Sequence, residues 1–210
     1  MQLIETGTLF DVIRDMRKPL AHQRGLSMPL AKRYFYQLAS AVRYLHEDMQ
    51  VVHRDIKLEN CLLDMSAPNA KAEGGNILLC DFGMAEYVTN EMMSPSPYSE
   101  PREHLMGPTD GSTIVAGSLQ YLAPESIKAA VPYTNPTVDI WALGVCLYLF
   151  LTAEYPYQSQ FEPQLLTLIA NGDWDHEKVR NAPAFKDEAS SAGVGEVLAL
   201  LEGCFEMDPA

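Results

Sequence analysis

The sequence predicts a mainly α-helical fold with short β-hairpins between its helices. Apolar residues recur every three or four positions in the segment that begins at Pro29, which is the spacing of one helix face. The segment 137–151 is apolar on nearly all sides, as expected for a helix at the centre of a domain. Two short apolar stretches, 61–63 and 77–80, are typical of β-strands flanked by turn residues.

Two helices are predicted in the N-terminal part of the chain. In the first, positions 9, 10, 13 and 16 are apolar with helical spacing, and Thr8 is expected to cap the helix. The second begins at Pro29 and runs to about residue 45. Its apolar face consists of Leu30, Tyr34, Leu38, Val42 and Leu45.

Short strands and loops follow. Val51 and Val52 form a β-type couple ahead of the polar segment 53–60. Residues 64–75 carry Pro, Asn and a Gly pair, so they predict a hairpin connection longer than a tight turn. Residues 88–113 are rich in Pro and Gly without periodicity. Because an irregular loop of about 25 residues is usually functional or disordered, we expect a flexible functional insertion there.

The C-terminal part is predicted to be helical. Asp139 is a lone charge in the apolar segment 137–151, and a buried charge needs partners because leaving it unpaired is costly. Residues 161–205 alternate helical patches with polar loops.

Composition excludes several classes of function. The formal net charge of −13 argues against a nucleic-acid binder and against docking on an anionic membrane. The longest apolar run covers residues 140–151, whereas a membrane span needs roughly 20 residues. The N-terminus shows no signal-peptide pattern. The four cysteines contain no CxxC pair and the histidines show no metal-ligand spacing, so we expect no zinc centre and a reducing, intracellular location, cytoplasmic or nuclear.

Three motifs stand in a fixed order: HRDIKLEN at 53–60, DFG at 81–83 and GSLQYLAPE at 117–125. The first reproduces the pattern H-R-D-x-x-x-x-N, and the three together resemble a eukaryotic protein kinase. Within that family the chain resembles the C-terminal lobe. The resemblance implies a protein-kinase-like fold whose helical lobe carries short β-hairpins at the catalytic site.

The chemistry of phosphoryl transfer explains these residue types. Asp55 is the candidate to accept the proton of the substrate hydroxyl. Asn60 and Asp81 supply hard oxygen ligands for Mg²⁺, and Lys57 supplies a cation near the transferred group. Gly83 lets the backbone turn sharply beside the metal. By resemblance, Lys57 also indicates serine/threonine specificity.

The resemblance implies roles for further positions. Ser118 would bridge the catalytic Asp and Lys, and Asp139 would hold the catalytic loop through its backbone amides. His53 and Phe82 take structural positions in their motifs. The residues expected beside ATP, in addition to Asn60 and Asp81, are Gln2, Leu3, Leu62 and Cys80. For Cys80 the alternative of a small buried hydrophobic residue stays open.

Two regulatory and substrate roles are also implied. Arg54 would pair with a phosphate on the activation loop, added by an upstream kinase, and Ser112 and Thr113 are the candidate sites. Glu59 matches a position that binds a basic residue of the protein substrate, although Thr8 stands where many such kinases have a second acid. Residue usage resembles the calcium/calmodulin- and AMP-regulated branch.

The chain departs from the family pattern at both ends. A Gly-rich loop and a strand lysine are missing, so we expect that 1–210 is a partial kinase domain without the N-terminal β lobe. The string EMDPA at 206–210 resembles D-P-x-x-R without its Arg, which by resemblance would pair with Glu125.

The motifs predict an ATP- and Mg²⁺-dependent protein serine/threonine kinase lobe. The alternative is a non-catalytic binding module that holds substrates or is inactive without an N-terminal lobe. A different ATP-using phosphotransferase is disfavoured because 117–125 resembles a protein-substrate loop.

Overall fold

The computed structural model describes residues 7–17, 24–88, 119–128, 135–186 and 192–208. These residues form a mainly helical domain, as predicted. The helices are α1 (Leu9–Met16), α2 (Met28–Arg43), α3 (Ala70–Glu73), α4 (Pro124–Lys128), α5 (Thr137–Thr152), α6 (Glu162–Asn171), α7 (His176–Arg180) and α8 (Val194–Cys204). The strands are β1 (Val51–Val52), β2 (Cys61–Asp64), β3 (Asn76–Leu79) and β4 (Glu86–Tyr87). Among the described helices, none has the length and apolarity to cross a membrane.

Helix α1 begins where the sequence predicts, at a reciprocal cap. The Asp11 backbone N–H donates to Thr8 Oγ1 at 3.3 Å, and the Thr8 backbone N–H donates to Asp11 Oδ2 at 3.1 Å. Two donors left open at the helix start are thereby satisfied. Just before the cap, Gly7 O accepts from the Leu63 backbone N–H at 3.0 Å. The start of α1 is therefore joined to strand β2.

Helix α2 carries its apolar stripe on the face that the sequence predicts. Tyr34, Leu38 and Val42 are buried, and α2 packs against α5. The helix extends beyond the predicted end as a wider turn, Tyr44–Asp48. This turn leads into β1 and brings His46 towards α5.

Two antiparallel pairs form the β structure. Strand β2 pairs with β3, with Cys61 opposite Leu79, as the two apolar stretches predict. The connection between them contains the short helix α3, which the sequence did not reveal because four residues are too few to show a helical period. Strand β1 pairs with β4, and a two-residue strand such as β4 likewise shows no alternation that could predict it.

Helix α5 is the centre of the core, as its all-round apolarity predicts. Its residues from Trp141 to Thr152 are buried, and it packs against α2, α7 and α8. Trp141 stacks on Tyr157 with 5.9 Å between ring centroids and meets Phe205 edge-on at 5.1 Å. The helical patches predicted within 161–205 are present as α6, α7 and α8.

Candidate active site

The segment 53–60 is attached to α5 through a buried carboxylate. Asp139 is 1% exposed, and its two oxygens accept the backbone N–H groups of His53 and Arg54, each at 2.8 Å. These are the backbone partners that the resemblance implied. His46 Nε2 lies 2.8 Å from Asp139 Oδ2 and adds a third partner that the sequence did not indicate. Asp139 thus joins the turn after α2, the loop and the core helix.

The His53 ring connects the loop to the DFG segment. The ring is buried, and its Nδ1 accepts the Asp55 backbone N–H at 3.3 Å. Nε2 must then carry the proton and donate to Cys80 O at 3.2 Å. The Phe82 ring lies 4.8 Å from the His53 ring. His53 therefore fixes the spacing between Asp55 and residues 80–82.

Asp55 is held by two side chains from its own loop. Lys57 Nζ lies 2.9 Å from Oδ1 and 2.8 Å from Oδ2. Asn60 Nδ2 donates to Oδ2 at 2.9 Å and to the Asp55 backbone carbonyl at 2.8 Å. The carboxylate is therefore oriented before any ligand binds, with a cation at both of its oxygens. Such an arrangement suits a group that must receive a proton from one direction.

Asn60 and Asp81 fit the requirements of a Mg²⁺ site. Both amide protons of Asn60 are directed to Asp55, which leaves its Oδ1 as the atom able to bind a cation. Asp81 is exposed and has a left-handed backbone, with φ of 63°, and its Oδ1 accepts the Gly83 N–H at 3.3 Å. Among the described residues there is no cluster of three or more His, Cys, Asp or Glu side chains that could hold a metal. Two protein ligands are sufficient for Mg²⁺, which usually keeps waters and takes phosphate oxygens.

The residues expected on the nucleotide side lie around the β2–β3 hairpin. Cys80 is half-buried, and its thiol donates to Asn60 O at 3.3 Å. Burial, with a smaller effect of Asp81, raises the pKa of the Cys80 thiol. Leu62 is half-buried and forms a β-bridge with Thr8. The predicted hinge positions, Gln2 and Leu3, lie outside the described residues.

Arg54 has an anionic partner within the chain. Its Nη1 lies 2.7 Å from Glu86 Oε1, and the Arg54 side chain is 8% exposed. The resemblance implied an activation-loop phosphate as the partner, and that expectation stays a prediction; the described residues place a carboxylate of β4 beside the guanidinium. Ser112 and Thr113, the predicted phosphate sites, lie outside the described residues. No sequence signal identified Glu86, because the pairing depends on β4 lying beside β1.

Glu59 lies beside the Tyr121 hydroxyl. The Tyr121 hydroxyl donates to Glu59 Oε2 at 3.5 Å and accepts the Leu58 backbone N–H at 3.3 Å. Burial raises the pKa of Glu59, and a backbone hydrogen bond and the nearby Lys57 charge offset only part of that effect. Tyr121 packs edge-on against Tyr155, with 5.7 Å between ring centroids. Glu59 is therefore a partly desolvated carboxylate next to the catalytic loop.

Glu125 of the third motif is held to α5. Its Oε1 accepts from the Thr137 hydroxyl at 3.0 Å. Its Oε2 is buried without a hydrogen-bond partner among the residues that the structure describes. Ser118, expected to bridge Asp55 and Lys57, lies outside those residues.

Comparison with known proteins agrees with this geometry. The family model for the protein kinase domain matches residues 1–210. The chain belongs to the protein kinase family. Its relatives include the human NUAK family SNF1-like kinase 2, which is 32% identical over 173 residues, covering 82% of this chain and 22% of the relative.

Other relatives are protein kinases from distant organisms. Serine/threonine-protein kinase CHK1 of Saccharomyces cerevisiae is 32% identical over 162 residues, covering 75% of this chain and 24% of the relative. CBL-interacting protein kinase 25 of Oryza sativa is 33% identical over 174 residues, covering 83% and 29%. The chain thus spans about a quarter of the length of these relatives. The resemblance to serine/threonine kinases of the AMP-regulated type is thereby confirmed.

In this kinase chain the fold brings most of the predicted site residues together. Asp55, Lys57 and Asn60 are in direct contact, and His53 joins them to the DFG segment. The structure adds His46, Glu86 and Tyr121, whose contacts with Asp139, Arg54 and Glu59 depend on tertiary packing.

Proposed function

We propose that this chain is the catalytic-loop portion of a protein serine/threonine kinase and transfers the γ-phosphate of ATP to Ser or Thr hydroxyls of proteins. The observation that carries the proposal is the Asp55 carboxylate, which Lys57 and Asn60 orient at distances of 2.8–2.9 Å. The HRDIKLEN string alone identifies the residue types, whereas these contacts support a working arrangement of them.

Asp55 acts as the proton acceptor for the substrate hydroxyl. Among the described residues, Oδ1 is hydrogen-bonded to Lys57 alone, while Oδ2 also accepts from Asn60. Oδ1 is therefore the better placed atom to receive the proton. Lys57 adds positive charge near the phosphoryl group, where preorganised charge stabilises a transition state.

Asn60 Oδ1 and the Asp81 carboxylate would hold Mg²⁺. When bound to the ATP phosphates, the ion supplies charge neutralisation for the transferred group. The left-handed backbone of Asp81 turns the chain at this residue, and Gly83 N–H holds its carboxylate. Leu62 and Cys80 would lie on the nucleotide side.

The substrates that this function implies are proteins, with a basic residue near the target hydroxyl if Glu59 takes the role expected of it. Ser112 and Thr113 are the candidate targets of an upstream kinase, whether or not transfer requires their phosphorylation. All four cysteines are free, which supports an intracellular, cytoplasmic or nuclear location.

The test measures how fast the natural gene product transfers phosphate from radiolabelled ATP to a protein or peptide substrate. The same rate is measured for the Asp55→Asn variant. Asp173→Asn changes an exposed acid to the same amide and serves as the matched control. We expect the Asp55 variant to lose at least about 10²-fold in kcat, since a general base contributes 10²–10⁴-fold.

ATP binding, measured by fluorescence with and without Mg²⁺, separates the alternatives. Binding without transfer in the wild-type protein would favour the non-catalytic binding module. Equal transfer by wild type and the Asp55 variant would contradict the proposed role of Asp55.

A further inference from the structure

Arg54 and Glu86 form an ion pair at the base of the catalytic loop. Arg54 Nη1 and Glu86 Oε1 are 2.7 Å apart, with side-chain exposures of 8% and 23%. The contact joins residue 54, directly before Asp55, to strand β4, three residues after the DFG motif. It adds to the contacts of His53 with Cys80 and Phe82, which also join these two motifs.

The position of Arg54 requires such an anion. Its backbone is left-handed, with φ of 67°, and its N–H is held by Asp139 at 2.8 Å. The guanidinium Nη1 is buried from solvent and makes no hydrogen bond among the described residues, so the nearby Glu86 carboxylate compensates its charge through proximity. A buried cation without a nearby anion is strongly unfavourable, so removal of Glu86 would release the side chain and change the conformation of residue 54. Because Asp55 follows immediately, its carboxylate would move as well.

We infer that Glu86 is a positioning residue for Asp55, supplying through Arg54 the negative charge that a phosphorylated activation loop would otherwise supply. The inference rests on the proposed kinase function and specifies its regulation. The catalytic loop is held in its working conformation by a carboxylate encoded in the chain. Transfer therefore needs no phosphate on Ser112 or Thr113.

The Arg54–Glu86 pair also determines how a phosphate on the activation loop would affect activity. A phosphoryl group carries about −1.5 to −2 charges, and it would have to approach Arg54 beside the Glu86 carboxylate. The two anions compete for one guanidinium. Phosphorylation of the loop then leaves the activity of the wild type unchanged or lowers it. It raises activity only when the Glu86 charge is removed.

The experiment compares wild type, Glu86→Gln, Glu86→Asp and the exposed control Glu196→Gln, each after phosphatase treatment and after phosphorylation by added kinases. We expect dephosphorylated wild type and the control to be fully active. Glu86→Gln should lose about 10²-fold in kcat with little change in KM for ATP, because displacement of a catalytic group by about 1 Å has an effect of this size. Glu86→Asp should recover part of the loss, which mere loss of folding stability would not explain.

Phosphorylation should restore activity to Glu86→Gln and not raise that of wild type. A dephosphorylated wild type at least tenfold less active than its phosphorylated form would overturn the inference. So would a Glu86→Gln variant with unchanged kcat. If no form transfers phosphate, the proposed function fails instead.

Hydrogen exchange tests the positioning role of Glu86 independently of kinase activity. The Glu86→Gln variant should exchange the amides of 53–57 at least tenfold faster than wild type, whereas amides within α5 should be unchanged. Equal exchange in the two proteins would contradict the positioning role even if the chain proves to be inactive.

Discussion

The Asp139 carboxylate accepts the backbone N–H of Arg54 at 2.8 Å, across 85 positions of sequence. The contact joins the most buried helix to the residue before Asp55. A carboxylate that accepts backbone N–H groups is a strong and directional anchor, since hydrogen bonds to charged groups contribute more than neutral ones. The catalytic loop therefore takes its position from the core.

Asp139→Asn should weaken this anchor. The amide keeps one acceptor oxygen and presents an N–H group where an acceptor is needed, so we expect a loss of about 1.5–3 kcal/mol in the free energy of unfolding. Urea denaturation measures the loss, with the exposed Asp48→Asn as control. Equal stability of the two variants would show that the buried charge is not an anchor.

Gly144 permits the close approach of α5 and α8. A Cβ at this position would lie 2.6 Å from Cys204 Cβ and 2.9 Å from Phe205 Cε1. We expect Gly144→Ala to destabilise the fold by about 1–3 kcal/mol through overpacking. A Cβ at Gly203, which lies within α8, would meet no atom within 4 Å, so Gly203→Ala should stabilise by about 0.5–1 kcal/mol. Calorimetry or urea denaturation of both variants would reveal opposite signs, and a shared sign would contradict the packing explanation.

Cysteine reactivity should follow exposure. Cys61 and Cys146 are buried, Cys204 is 9% exposed with its pKa raised by burial to about 11, and Cys80 is half-buried. Since the thiolate is the reactive form, iodoacetamide at pH 8 should label Cys80 first and the others only on unfolding. Mass spectrometry of peptides after timed labelling measures the order, with Cys80→Ser as control. Labelling of Cys146 before Cys80 would contradict the structure.

Glu59→Gln should change how the free energy of unfolding depends on pH. Burial raises the pKa of Glu59 above 4.5, so the folded chain holds the proton more tightly than the unfolded chain. The resulting penalty is present in full above the folded pKa and disappears as the pH falls towards 4.5. Glu59→Gln should therefore be more stable than wild type at pH 7 and show no advantage at pH 4.

The same variant tests the expected substrate preference. If Glu59 binds a basic residue, Glu59→Gln should raise KM about tenfold for a peptide with an upstream Arg, which corresponds to about 1.4 kcal/mol. KM for a peptide with Ala at that position should not change. Glu196→Gln is the control for both measurements, and an unchanged KM for the basic peptide would remove Glu59 from the substrate site.

Much of the fold could be predicted because its signals are local. The spacing of Tyr34, Leu38 and Val42 predicts the buried face of α2, and the all-round apolarity of 137–151 predicts the central helix. Thr8 is a local cap, formed with a residue three positions away. By contrast, β4 and α3 are too short to show a periodic pattern, so the sequence does not predict them. Their existence depends on the partners that pack against them.

The sequence by itself determined the family, the residues that carry the chemistry and the need of Asp139 for partners, because motif order and the cost of a buried charge are properties of the chain. Only the tertiary structure decided that His46 joins Asp139, that Tyr121 covers Glu59 and that Glu86 pairs with Arg54. The physical reason is distance along the chain. Each of these contacts links elements far apart in sequence. A local sequence pattern therefore does not indicate which of several acids pairs with a buried arginine.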